Sequence, residues 1–155
     1  MIVARITGIL VIALLLGAQT SDRLDLETDF SQGVLVISAN ENACHVFDIY
    51  IATSRAQQMQ GLMYVRNMPP TRGMLFVYRE AGIRSMWMKN TYIPLDILFI
   101  RGDGVVSSIA KHTEPHSLKS ISAIEPVNFV LELNAGLTDK LGIEPGSSVY
   151  FPGEE

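Results

Sequence analysis

The sequence predicts a mainly β domain, built as a small sandwich or a partly closed barrel with two short helices. Three observations carry this. Short apolar runs recur with turn residues spaced between them. Several of the runs alternate apolar and polar side chains, as half-buried strands do. Proline and glycine punctuate the rest, at Pro69-Pro70, Pro94, Pro115, Pro126 and Pro145-Gly146. The chain has 155 residues, enough for one core and a short extra segment. It is 48% hydrophobic and 18% charged, which excludes disorder for its bulk.

Residues 1–20 read as a secretory signal peptide. Arg5 supplies the positive start, residues 6–16 form an apolar core broken only by Thr7 and Gly8, and Gly17, Ala18, Gln19 and Thr20 suit a cleavage region. A membrane span needs roughly 20 apolar residues, so an uncleaved anchor is the alternative. No cysteine follows the apolar core, which argues against a lipid anchor. The mature chain is expected to start near Thr20 or Ser21, in the periplasm or outside the cell. Losing Arg5 alone takes the net charge from −4 to −5. That balance argues against nucleic acid as a partner.

Residues 21–32 are polar and acidic, with Asp22, Asp25, Glu27 and Asp29, and read as a linker or mobile arm. Residues 33–155 then form a single β domain. Strands are expected at 34–38 and 44–51; in the second, Phe47, Ile49 and Ile51 share a face opposite Asp48. Further strands are expected at 73–78 and 84–89. Residues 96–100, the turn Gly102-Asp103-Gly104 and residues 105–110 give the clearest hairpin signal. Strands at 129–133 and 148–151 complete the set. Ser54 and Gln57 form a capping box for a first helix, with Gly61 at its end. Residues 137–141 make about one helical turn before Gly142.

With one cysteine, Cys44, the chain has no internal disulfide framework and no thiolate zinc cage. Burial is the expected state of Cys44, since free cysteines behave as small hydrophobes. A free thiol or an intermolecular disulfide is the alternative. There is no Gly-rich phosphate loop and no nucleophile elbow. Cys44 and His45 are sequence neighbours on a strand and point to opposite faces, which makes them a poor catalytic pair.

Four features can carry chemistry. Met59, Met63, Met68, Met74, Met86 and Met88 fall within one 30-residue stretch. Thioethers are soft ligands that select Cu(I), so Met63, Met86 and Met88 are candidate metal ligands, although filling irregular core gaps is the commoner use of methionine. Residues 55–89 carry Arg55, Arg66, Arg72, Arg79, Arg84 and Lys89, opposed only by Glu80. Converging cations would make an anion site; separate ones are solvated surface. Asp96 interrupts the apolar run PLDILFI and must face water or find a partner. Lys89 is the proposed partner, either as an ion pair fixing a turn or as half of an acid–base pair. Finally, His112, Glu114 and His116 alternate along an extended segment, a weak pattern for metal binding.

Longer runs carry a resemblance. The stretch GLMYVR at 61–66 leads to GMLFV at 73–77, then to MWMKNTYIPLDILFI at 86–100, VLELNAG at 130–136 and LGIEPG at 141–146. This resembles the bacterial and archaeal family known as domain of unknown function 192, over roughly residues 46–151. The resemblance implies a mainly β, jelly-roll-like sandwich with short helices, and export in many members. It implies no activity, substrate or cofactor, so motif positions carry over without roles.

The leading expectation is therefore an exported small-ligand or anion-binding module. Its contacts are expected from Arg72, Trp87, Lys89, Asn90 and Asp96. One alternative is a periplasmic Cu(I) protein using Met86 and Met88 with another methionine or a histidine, His112 or His116. Another is an enzyme using Asp96 and Lys89 as an acid–base pair. Beyond small molecules, the partners considered are a protein at an exposed β edge, and a membrane only through the signal segment.

Overall fold

The structure is a computed structural model that describes residues 23–40 and 43–151. The expected signal segment lies outside the described residues. Alternating apolar strands build one curled sheet. In chain order its strands are β1 (Ser31–Asn40), β2 (Ala43–Ala52), β3 (Arg72–Gly82), β5 (Leu95–Ile100), β6 (Val106–Ala110), β8 (Val127–Asn134) and β9 (Ser148–Tyr150). Their order across the sheet is β6-β5-β8-β3-β2-β1-β9. A separate ribbon pairs β4 (Ser85–Met86) with β7 (Ile121–Ser122).

The sheet curls into a half-barrel whose two ends meet. Val105 bridges Ser148, and the Val149 N–H donates to the Gly104 carbonyl at 2.8 Å. Gly104 is required there. Its φ is +81°, and a Cβ would lie 2.6 Å from the Val149 carbonyl oxygen. Of the architectures the sequence admits, the mainly β, partly closed barrel is the one observed.

Both sheet faces are covered. The inner face collects side chains from every strand of the sheet, among them Leu35, Phe47, Leu75, Leu98, Val106, Leu131 and Val149. The outer face of β2, β3, β5 and β8 packs Tyr50, Phe76, Ile97 and Val130 against loop residues such as Leu62 and Met88. All six residues of β5 are buried as a result.

β2 and β3 run parallel, which a tight hairpin cannot connect. The crossover contains α2 (Arg55–Gln60). Its expected capping box is present. Ser54 Oγ accepts from the Gln57 N–H at 3.2 Å, and Gln57 Oε1 accepts from the Ser54 N–H at 2.9 Å. α3 (Leu137–Leu141) also forms as expected, ending at Gly142.

Three expectations are corrected. Residues 23–32 are not a free arm. They contain α1 (Leu26–Asp29), capped by Asp25, and Ser31 and Gln32 already belong to β1. The buried Phe30 ring and the Tyr50 hydroxyl, which donates to the Glu27 carboxylate, hold the segment down. The strand expected at 84–89 stops at Met86, because its partner β7 is two residues long. Cys44 is exposed. It shares the outward-facing register of Val46 and Asp48, while Phe47 and Ile49 turn inward.

Asp96 is fully buried and is a fastener of the fold. Oδ1 accepts from the His112 backbone N–H at 2.9 Å. Oδ2 accepts from the Thr138 N–H at 3.1 Å and its hydroxyl at 2.7 Å. The N-cap of α3 is Gly136, which has no side chain to offer, so a sheet carboxylate caps the helix instead. No ion pair links it to Lys89. Asp96→Ala leaves these donors unsatisfied and is expected to cost about 3 kcal/mol in urea unfolding. A loss below about 1 kcal/mol would contradict the fastener role.

Candidate ligand pocket

β8 carries a second acid in an apolar run, FVLELN. Alternation puts Leu131 and Leu133 on the inner face and Val130 and Glu132 on the outer one. Across the sheet Glu132 is flanked by Met74 on β3 and Ile97 on β5, both fully buried. It is only 4% exposed, and its Oε2 has no hydrogen-bond partner among the described residues. Removal from water disfavours the charged form, and burial pushes this carboxyl up to about 8. At neutral pH it is mostly the neutral acid.

Glu132 lines a pocket of about 80 Å³. Its walls come from three places: the end of α2 and the following turn (Gln58 to Met63), Tyr78 on β3, and the segment Ser85, Met86, Trp87 and Thr91. Gly61 lets the first wall close tightly. It ends α2 at φ +49°, and a Cβ there would lie 3.1 Å from the Phe76 ring. The turn after it is stapled to the segment after β4. The Tyr64 N–H donates to the Asn90 carbonyl at 2.8 Å, and Asn90 Nδ2 donates to the Tyr64 hydroxyl at 3.0 Å. Both residues have positive φ, 68° and 55°, so the two turns hold each other in sparsely populated conformations. Tyr78 is pushed up by its own burial; the nearby Arg84 acts the other way, and Glu132 adds slightly.

The pocket opens beside a broader apolar groove. Met59, Gln60, Met63 and Trp87 line both. Arg23, Tyr64, Lys89 and Asn90 complete the groove rim. Gln60 fixes the N-terminal segment along this rim, accepting from the Leu24 N–H at 2.6 Å and donating to its carbonyl at 2.7 Å. Lys89 Nζ sits 5.1 Å from the Trp87 ring centroid, a cation–π distance. Trp87 is 44% exposed.

Of the residues singled out in the sequence, Met63, Met86, Trp87, Lys89 and Asn90 gather here. The others do not. Arg72 donates to the Tyr50 hydroxyl at 2.6 Å and pairs with Glu27 at 3.4 Å, anchoring α1. Asp96 caps α3. Met88 is buried below the pocket, where its sulfur accepts from the Thr113 hydroxyl at 3.2 Å. His112 and His116 have φ of 51° and 63°, so the extended alternation that would align them is broken. The His112 ring lies 3.4 Å from Asp139, and the His116 ring 4.9 Å from that of Tyr92. Among the described residues, no three His, Cys, Asp or Glu side chains are grouped to hold a metal. The cations are dispersed too: Arg66 lies over Tyr92, Arg72 over Tyr50 and Arg84 over Tyr78.

Sequence reasoning passed over Glu132. The signal was present, because the argument applied to Asp96 in PLDILFI applies equally to the acid in FVLELN.

The model of the family named domain of unknown function 192, described as Uncharacterized ACR, matches residues 36–151. The chain belongs to this family. The matched span holds every residue lining the Glu132 pocket, while Arg23 and Leu24 of the groove precede it. Crystal structures similar to the chain include two from bacteria. One is a candidate transcription regulator from Sinorhizobium meliloti 1021, 41% identical, with a TM-score of 0.78 over 80% of this chain and 96% of that one. The other is a protein of unknown function from Novosphingobium aromaticivorans DSM 12444, 32% identical, with a TM-score of 0.78 over 83% and 91%. No curated protein matches the chain.

The raised Glu132 carboxyl sets a pH dependence. Its folded value lies above the ordinary 4.5. Between the two, the folded chain keeps a proton that the unfolded chain has released. Stability therefore falls as pH rises from about 4.5 to about 8 and levels off above. Glu132→Gln should remove that fall. The variant should match the wild type near pH 5 and exceed it near pH 9, by a gap on the order of 4 kcal/mol. Parallel profiles in urea unfolding would mean that Glu132 titrates normally.

Proposed function

We propose that this family member is an exported binding module that takes a small ligand in the Glu132 pocket. One observation carries the reading: a buried carboxyl oxygen without a partner, in a pocket lined by Met63, Met86 and Trp87. Leaving such a group unsatisfied costs on the order of 1–3 kcal/mol, and a bound ligand offsets that cost. The pocket itself is mixed in character, with Gln58, Gln60, Ser85 and Thr91 beside the thioethers, and it opens onto the apolar groove; polar groups converging next to apolar surface are a usual form of a small-molecule site. Export rests on the signal-like segment 1–20. Acid–base catalysis by Asp96 and Lys89 has lost its geometry, since Asp96 is occupied by Thr138 and His112. The transcription-regulator description of the S. meliloti protein is not carried over, because the net charge is −4 and the cations are dispersed.

Native mass spectrometry of the full chain, expressed with its N-terminus and recovered from the periplasm, tests both halves. The expected result is a mass short of about the first twenty residues, carrying an adduct that Glu132→Gln loses. An intact mass in the cytoplasm would refute export, and an adduct indifferent to Glu132 would refute the site.

Cu(I) is a second reading, supported by the thioethers of Met59, Met63 and Met86 lining one pocket. It differs from the set expected from the sequence in losing Met88, His112 and His116 and gaining Met59. It predicts that Met63→Leu with Met86→Leu abolishes silver binding while the thermal midpoint stays within a few degrees. Unchanged silver affinity would end it.

A further inference from the structure

We propose that the ligand is an organic ammonium cation: its charged head pairs with Glu132 in the pocket, and its apolar body lies in the groove over Met59, Met63 and Trp87. This rests on the binding-module reading and names the ligand class for that site.

Three observations converge on it. The first is charge. Among the residues lining the pocket, Glu132 is the acid and none is basic, so an arriving cation meets one carboxyl that can ionise to pair with it. Facing groups on each packed element agree. β3 contributes Tyr78, a neutral phenol at physiological pH. Arg84, beside β4, is turned onto the Tyr78 ring at 4.0 Å and donates to the Glu80 carbonyl, not to Glu132. Lys89 and Arg23 stand out on the groove rim, over Trp87 and Tyr64. An anionic head would find no cation in the lining to pair with, which disfavours the anion ligand expected from the sequence.

The second is the character of the walls. Aromatic faces and thioether sulfurs are polarisable and electron-rich, and they favour organic cations over hydrated inorganic ones. The third is shape. A pocket of about 80 Å³ holds a small head group, and its shared wall with the groove gives a tail an exit across apolar surface.

Binding then carries a proton signature. The empty site holds Glu132 as the neutral acid at neutral pH, as its raised value requires. An arriving ammonium favours the carboxylate, so the Glu132 proton leaves to buffer as the ion pair forms. Amine affinity should rise roughly tenfold per pH unit between about 5 and 8, then flatten.

Calorimetry on the full chain decides it, with n-hexylammonium, n-hexanol and hexanoate as probes in two buffers of different ionisation enthalpy. The expected result is preferential n-hexylammonium binding with release of nearly one proton at pH 7. Glu132→Gln should weaken it at least roughly tenfold while leaving n-hexanol unaffected. Proton release is read on the wild type, so it stands even if the variant folds poorly. If n-hexanol binds as well as the amine and no proton is released, the pocket stands and the cation inference falls. If none of the probes binds at millimolar concentration, the pocket reading falls with it.

Discussion

Burial of the sheet on both faces is the constraint on which the rest depends. A curled sheet whose ends meet has an inside, and here its outside is roofed by α2 and the loops around β4 and β7. The acids in the buried stretches of β5 and β8 cannot reach bulk water by turning over. Each must find a partner within the protein or remain unpaired at a cost. Asp96 and Glu132 are the two outcomes. Asp96, on the inner face, has both oxygens saturated by His112 and Thr138 and holds a helix in place. Glu132, on the outer face, has an oxygen that nothing among the described residues satisfies. Two acids in similar apolar runs thus serve opposite purposes, and their surroundings separate them.

The methionines divide the same way. Met68, Met74 and Met88 are buried and fill the space between sheet and loops. Met59, Met63 and Met86 line the pocket instead. An unbranched, flexible side chain suits both duties. The division also explains why the turn at 61–64 and the segment at 88–91 are cross-linked through Tyr64 and Asn90. That linkage fixes the two pocket walls relative to each other.

Much of this fold was legible. The hairpin of β5 and β6, the Ser54 capping box and the α3 turn each rest on local signals that tertiary packing did not override. Less was legible where stability comes from distant partners. α1 has four residues and persists because Phe30, Tyr50 and Arg72 hold it. β7 has two residues and is defined by β4 across it. The exposure of Cys44 follows from strand register, which a lone cysteine does not announce. Within the site, Trp87, Lys89, Asn90, Met63 and Met86 were found from composition in one segment. Glu132 lies over 40 residues away and required the sheet register to bring it there.

The central claim is that Glu132 is a buried, unpaired acid poised in a pocket. Its titration is the most direct test, read from the side-chain carboxyl shift in ¹³C-glutamate-labelled protein, with Glu132→Gln to assign the signal. The expected midpoint is near 8. A midpoint near the ordinary 4.5 would mean that water or a charge partner already satisfies the carboxylate, and the pocket would lose the feature that marks it as a site.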